Sequence, residues 1–469
     1  MATLQFIGAI QQVTGSCYLL ESDSVRVLLE CGMIQGERNS NQNKERDQDQ
    51  VFDFDAKSID AVIISHAHLD HSGLLPRLVR EGFGGDIYVT TPTADLLDIM
   101  LKDAAFLQQK DNDWENRRRA RSGKDPIEPL YEIQDVEQVL EQLVPISYGE
   151  RAEVVTGIEL RYRDAGHIIG SAIVEVWIKE SGATRKLVFS GDLGNNCSPL
   201  LRDPEVVDEA DVLLLESTYG DRNHRPQDET LDEFSEILDV SMQKGGNVYI
   251  PSFAVGRTQD LLYRLGKFHR EGKLKQQKIF LDSPMATSVS KVYVKHSRLY
   301  NKDDPEFNKS IKSGWASWLP MLTFTQSTEE SMALNNISGG AIIIAGSGMC
   351  TGGRIRHHLK HNLWHRNNHL VFVGFQARGT LGRILVDGAK RVNIMGEEIA
   401  VNAQVHTLGG FSAHAGQEQL LNWASHFKQK PRLYLVHGEI EKMLVLQKQF
   451  MDVHNWYANI PAPRERITL

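Results

Sequence analysis

Apolar residues along the chain fall into short runs broken by glycine-bearing turns, a pattern that predicts strands. The first three lie at Leu4–Ile10, Ser16–Glu21 and Val25–Glu30, the last followed at once by Cys31-Gly32. A fourth run, Ala61-Val62-Ile63-Ile64, ends directly in Ser65-His66-Ala67-His68-Leu69-Asp70-His71. Two more runs appear at Leu187–Ser190 and Val212–Glu216. Residues 93–145 have a helical, strongly charged pattern with a basic knot, Arg117-Arg118-Arg119-Ala120-Arg121, near Trp114. The knot reads as a solvated helix face.

After residue 222 the texture becomes strand, glycine-rich turn, helix. Asn247–Pro251 leads into Ser252-Phe253-Ala254-Val255-Gly256-Arg257. Ala341–Ala345 leads into Gly346-Ser347-Gly348-Met349-Cys350-Thr351-Gly352-Gly353-Arg354, and Leu370–Phe375 into another such turn. Repeats of this kind predict a parallel, Rossmann-like sheet with ligands beyond the carboxyl ends of its strands. No turn has the GxGxxG or GxxxxGK[ST] spacing, so a nucleotide cofactor is not supported. From residue 389 strands return, followed by Phe411-Ser412-Ala413-His414, a helix, and Arg432–Val436 ending in His437-Gly438-Glu439. The expected division is 1–221, an inserted 222–388, and 389–469.

Length agrees with that division, because 469 residues exceed one ordinary core. Composition is that of a soluble globular chain, 41% hydrophobic and 24% charged. No window approaches the ~18 apolar residues of a membrane span, and MATLQFIGAI lacks the features of a secretory signal. Four widely spaced cysteines without a CxxC place the chain in a reducing compartment, expected to be the cytoplasm, with no membrane partner. A net charge of −9 argues against a protein that coats nucleic acid non-specifically.

Packing has no use for the titratable groups crowded after Ile64, whereas metal coordination does. With 17 histidines in the chain, His-x-His-x-Asp-His arises by chance in roughly one such chain per thousand. In a tight loop His66 and His68 face one ion while Asp70 and His71 face another. Zinc takes four or five ligands, so others must come from elsewhere. His167 in Asp164-Ala165-Gly166-His167, Asp192 in Ser190-Gly191-Asp192, and His437 each stand at the end of an expected strand.

This ordered set resembles the metallo-β-lactamase superfamily, an αβ/βα sandwich holding two metals at one edge. The resemblance implies two zinc ions, one on His66, His68 and His167, the other on Asp70, His71 and His437, with Asp192 bridging. Water activated between them would be the nucleophile, which gives Asp70 and Asp192 a catalytic part. The family usually has aspartate where this chain has Glu30. Glu216-Ser217-Thr218-Tyr219-Gly220, Phe411-Ser412-Ala413-His414 and Val436-His437-Gly438-Glu439 are similar to motifs of the β-CASP branch, which cuts nucleic acids, and the inserted α/β region resembles its cap. Histidine at 437 and the Ser-Ala-His form resemble the cleavage-and-polyadenylation endonuclease subgroup, in a bacterial form without an RNA-binding KH extension.

The resemblance therefore implies a zinc-dependent ribonuclease acting on single-stranded RNA, leaving a 5′ phosphate and a 3′ hydroxyl. His414 would supply the leaving oxygen's proton and Glu216 would orient it. Arg257, Ser347 and Arg354, at glycine-rich turns, would grip phosphates. Three other readings are a thioesterase-like hydrolase of small substrates, a DNA-cutting nuclease, and an inactive RNA-binding subunit. Filled ligand positions argue against the last. A homodimer is among the expected assemblies.

Overall fold

The computed structural model describes residues 1–23, 25–34, 52–180, 182–196 and 198–469, so Cys197 lies outside the described residues. The other three cysteines are free and buried. No described helix is long and apolar enough to cross a membrane.

The chain divides into two compact units, the first assembled from Met1–Asn196, Asp203–Asn223 and His414–Leu469. Its strands in chain order are β1 (Thr3–Gly8), β2 (Cys17–Ser22), β3 (Val25–Leu29), β4 (Ala61–Ile63), β5 (Asp86–Thr90), β6 (Leu143–Ile146), β7 (Arg151–Val155), β8 (Ile158–Asp164), β9 (Ala172–Glu180), β10 (Ala183–Phe189) and β11 (Val212–Glu216). One seven-stranded sheet runs Arg466–Thr468, β1, β2, β3, β4, β5, β6. The other runs Ala458–Asn459, Arg432–Val436, β11, β10, β9, β8, β7.

Alternation decides which faces meet. In β8, Ile158, Leu160 and Tyr162 are buried while Glu159, Arg161 and Arg163 are only partly so. The inward residues join Leu4, Phe6, Tyr18, Leu20 and Val27 of the first sheet in one core between the two sheets. Ring pairs span it, with Tyr18 and Phe189 centroids 5.4 Å apart and Phe6 and Tyr434 also 5.4 Å apart. Helices Gln417–Ala424 and Ile440–His454 cover the outer face of the second sheet through Leu420, Leu421, Met443, Leu446 and Phe450. The first sheet carries the helix Thr91–Arg121 on its outer side, where Leu96, Leu97 and Leu101 are buried. The arrangement is the expected αβ/βα sandwich.

The second unit comprises Cys197–Arg202 and His224–Ala413. Its main sheet has six strands, Leu322–Phe324, Lys278–Asp282, Ala341–Ala345, Val248–Pro251, His369–Phe372 and Gln404–Thr407 in spatial order, all parallel, and Arg391–Ile394 and Glu397–Ala400 form a separate antiparallel pair. This is the Rossmann-like sheet that the strand–turn–helix texture predicts. Ile342, Ile343 and Ile344 are buried on both faces, as strands covered by helices on each side require. Residues 389–413 belong to this unit because Gln404–Thr407 pairs in parallel with His369–Phe372.

Candidate metal centre

Strand direction brings the site together. β8 and β10 both run antiparallel to β9, while β10, β11 and Arg432–Val436 are mutually parallel. Their carboxyl ends therefore share one edge and deliver His167, Asp192, Glu216 and His437 to it. β4 ends at the matching edge of the other sheet and delivers His66 to His71.

Two ligand groups form within the first unit. In one, His66 Nε2 and His167 Nε2 lie 3.0 and 3.3 Å from His68 Nδ1. In the other, His71 Nε2 is 3.3 Å from His437 Nε2, whose ring also lies 3.6 Å from Asp70 Oδ2. Asp192 Oδ2 stands between the groups, 3.5 Å from His66, 3.4 Å from His71 and 3.7 Å from His167, each at Nε2. All seven predicted ligands are thus brought together.

The donor set fits zinc. Tetrahedral bonds of ~2.0–2.1 Å place ligand nitrogens about 3.3 Å apart, the spacing found in both groups. Burial drives the His66 imidazole far below its ordinary pKa and lowers His68 to about 4, so these rings are neutral. A neutral ring keeps a lone pair to offer a cation, as metal ligation requires. Asp192 Oδ1 is buried without a hydrogen-bond partner among the described residues, 3.4 Å from His437 Nδ1. Burial opposes the charge of the Asp192 carboxylate, but His437, His71 and His66 hold it far below the usual carboxylate range.

Braces fix the rings from behind. Glu30 is fully buried, in a left-handed conformation at φ +66°. It accepts from Ser65 N–H at 2.5 Å and lies 2.6 Å from His71 Nδ1, leaving Nε2 to face the site. Ser65 Oγ contacts His66 Nδ1 at 3.0 Å, Ser171 Oγ accepts from His167 N–H, and Thr218 Oγ1 lies 3.2 Å from His437 Nδ1. Sequence reasoning did not single out these three hydroxyls. The only available signal was their position: Ser65 next to His66, Thr218 two residues after Glu216 and Ser171 four after His167.

Beside the ligand groups, His414 Nδ1 lies 3.3 Å from Glu216 Oε1 and 3.9 Å from Asp192 Oδ2. Glu216 is fully buried and accepts from Leu193 N–H at 2.7 Å and Thr218 N–H at 3.3 Å. Burial disfavours charge on His414, but Glu216, then Asp192 and Asp70, outweigh it and push the pKa up to about 9. The ring keeps 23% of its surface exposed, so it can reach a bound molecule.

The three predicted phosphate contacts lie in the second unit. Arg354 donates to Asp282 Oδ1 at 2.7 Å and to the carbonyls of Thr325 and Gln326. Arg257 pairs with Asp260 at 3.3 Å, and Ser347 Oγ accepts from Gly352 N–H. Each is thus engaged in shaping its own turn, and Arg354 ties the turn after Ala341–Ala345 to the carboxylate ending Lys278–Asp282.

Comparison with known proteins agrees with this geometry. The metallo-beta-lactamase superfamily matches residues 11–241 and the Beta-Casp domain residues 258–385. The Zn-dependent metallo-hydrolase RNA specificity domain matches residues 398–461. "Ribonuclease TTHA0252" of Thermus thermophilus is 43% identical, covering 94% of each chain. "RNase J-like protein" of Methanocaldococcus jannaschii is 31% identical over 94% of this chain and 93% of its own. "Transcription termination factor FttA" of the same organism is also 31% identical, over 94% of this chain and 67% of its own. Among solved structures, a protein of unknown function from Enterococcus faecalis V583 shares the fold over both whole chains, with a TM-score of 0.55 at 13% identity. The two ligand groups at the sandwich edge, the inserted parallel sheet and these matches place the chain in the β-CASP branch of the metallo-β-lactamase superfamily, a family of metal-dependent hydrolases.

Proposed function

We propose that the protein is a ribonuclease that binds two zinc ions and hydrolyses single-stranded RNA to 5′-phosphate and 3′-hydroxyl ends. The observation that carries the proposal is a pair of zinc-spaced ligand groups sharing Asp192, with the His414–Glu216 pair beside them. His66, His68 and His167 would hold one ion; Asp70, His71 and His437 the other. When bound, paired divalent ions supply an activated water and neutralise charge building on the phosphate.

The remaining work falls to side chains. Cleavage breaks the bond from phosphorus to the 3′ oxygen, and that oxygen leaves with a proton. His414 carries one, and its partial exposure lets the ring meet the leaving group. Glu216 holds the ring by Nδ1, which leaves Nε2 to donate. Glu216 in turn is fixed by two backbone N–H groups, so the imidazole is oriented before substrate arrives. The names of the Thermus and Methanocaldococcus relatives, a ribonuclease and an RNase J-like protein, support RNA as the substrate.

The test is to incubate the pure protein with labelled single-stranded RNA, DNA of matched sequence and a chromogenic thioester, with and without chelator. Chelator-sensitive cleavage of RNA is expected, with about two zinc ions per chain by elemental analysis. Faster cutting of DNA or of the thioester overturns the substrate class. A His68→Ala variant that keeps both metals and full rate overturns the ligand assignment.

A further inference from the structure

The helix Thr91–Arg121 is buried only in its first half. Its last buried residue is Ala105; of the remaining sixteen, Gln108, Asn112, Glu115, Asn116 and Arg119 are half-buried on one face and the others are exposed. At ~1.5 Å per residue that is about 24 Å of helix with one side open to solvent. Along it, Phe106, Lys110, Trp114 and Arg118 follow at intervals of four, which sets them on one slowly turning face. Phe106 is 55% exposed and Trp114 63% exposed. Lys110 Nζ lies 4.3 Å from the Phe106 ring centre, and Arg118 Cζ 5.9 Å from that of Trp114. Rings and cations therefore alternate about 6 Å apart along the axis.

The helix end adds charge. Residues 116–124 hold Arg117, Arg118, Arg119, Arg121 and Lys124 and no acid, in a chain whose net charge is −9. Glu115 neutralises part of this through Arg118 at 3.7 Å. Arg117 and Arg121 are exposed and have no ion-pair partner among the described residues. The surface is also ordered: the Asn116 amide clamps Ile127 through both backbone groups at 2.8 and 2.9 Å, and Arg119 donates to the Asp125 carbonyl at 2.6 Å.

We infer that this half-helix is a docking arm for single-stranded RNA, bases stacking on Phe106 and Trp114 while the intervening cations meet phosphates. The inference rests on the ribonuclease reading and extends it to substrate held away from the cleaved bond. Leu107, 53% exposed, adjoins Phe106, but Lys110 and Arg118 interleave with the two rings, so the face is not one apolar patch of the kind a protein partner would cover. Interleaved rings and fixed cations match the alternation of base and phosphate in a single strand. Thr90, which caps the helix, accepts from Thr93 and donates to the Gly170 carbonyl in the loop after His167, so the helix starts beside that loop and the arm begins about 22 Å further along it.

The test is anisotropy of labelled oligouridylate of ~25 nucleotides on full-length, zinc-loaded protein carrying His414→Ala to prevent turnover. Trp114→Ala should weaken binding ~5- to ~100-fold, and Trp114→Phe should recover most of the loss. Arg117→Ala with Arg121→Ala should lower the slope of log affinity against log salt by about one to two. In the otherwise unaltered enzyme, zinc content and cleavage of an oligonucleotide of ~4 nucleotides should be unchanged by these substitutions, because so short a strand cannot reach the arm. Wild-type affinity and salt slope in both arm variants would overturn the inference and leave the stripe to a protein partner. Equal impairment on short and long RNA would overturn it too, by placing the effect at the metal centre. Failure of the parent protein to bind RNA at all would remove the ribonuclease reading along with it.

Discussion

One methylene longer than aspartate, Glu30 gathers Ser65 N–H, Ser65 Oγ and His71 Nδ1 around one buried carboxylate. An acceptor-only group suits three donors, and an amide does not. Glu30→Gln should therefore loosen His71 and weaken zinc at the Asp70–His71–His437 position by ~10–100-fold, while the other position keeps its affinity. Competition against a chromogenic chelator measures both. His414→Ala should fold, keep both zincs and lose ~10²–10⁴-fold in RNA cleavage. The deficit should shrink on bis-p-nitrophenyl phosphate, whose leaving oxygen needs no proton. Equal deficits on both substrates, or loss of a metal, would reassign His414. Glu216→Gln should cost stability as well as rate, because its amide would face the N–H donors of Leu193 and Thr218. The candidate ligands that the fold brings together were legible because their residue types cluster or stand at strand ends. Ser65, Ser171 and Thr218 were not, since a hydroxyl becomes a brace only through the turn that aims it.

Within the second unit, local rules and tertiary contacts pull apart at the helix Arg257–Arg270. Replacing a mid-helix glycine by alanine usually adds about 1 kcal/mol. At Gly266 a Cβ would lie 2.0 Å from Trp318 Nε1, on a ring that is fully buried and donates to the Tyr263 carbonyl. Gly266→Ala should instead destabilise by about 1–3 kcal/mol, visible in a thermal melt. At the edge of the same sheet, His369 Nδ1 lies 3.0 Å from His406 Nε2 with the rings stacked. Burial, then His406, lowers His369 to about 4, and burial lowers His406 as well. Because the folded pKa lies below the ordinary ~6.5, the pair's stability is full above pH ~6.5 and is lost as pH falls towards 4. Hydrogen exchange in Gln404–Thr407 should accelerate over that window beyond its intrinsic chemistry, and His406→Gln should abolish the excess. Val212–Glu216, Ala341–Ala345 and Arg432–Val436 were legible to the residue, being apolar runs with polar ends. The pairing of Gln404–Thr407 with His369–Phe372 was not, because no local pattern displays a partner strand.

Each unit has its own core, so metal should stabilise one and not the other. A ligand that binds only the folded state adds about 2.7 kcal/mol at a hundred times its dissociation constant. Chelation should accordingly lower one calorimetric transition by several degrees and leave the second in place; a common shift of both would show that they unfold together. The chain enters the long segment of the second unit at His224 and is back in the first from His414. That return also sets a timetable during synthesis. His71 and His437 are separated by 366 positions, and the whole second unit is translated between them. The strand Arg466–Thr468 completes the first sheet later still, by pairing with β1. A chain still on the ribosome, beside the messenger it is reading, thus lacks one candidate ligand of the second proposed metal position until the second unit has emerged. The order of residues thus delays assembly of the proposed cutting centre until the whole second unit has been made.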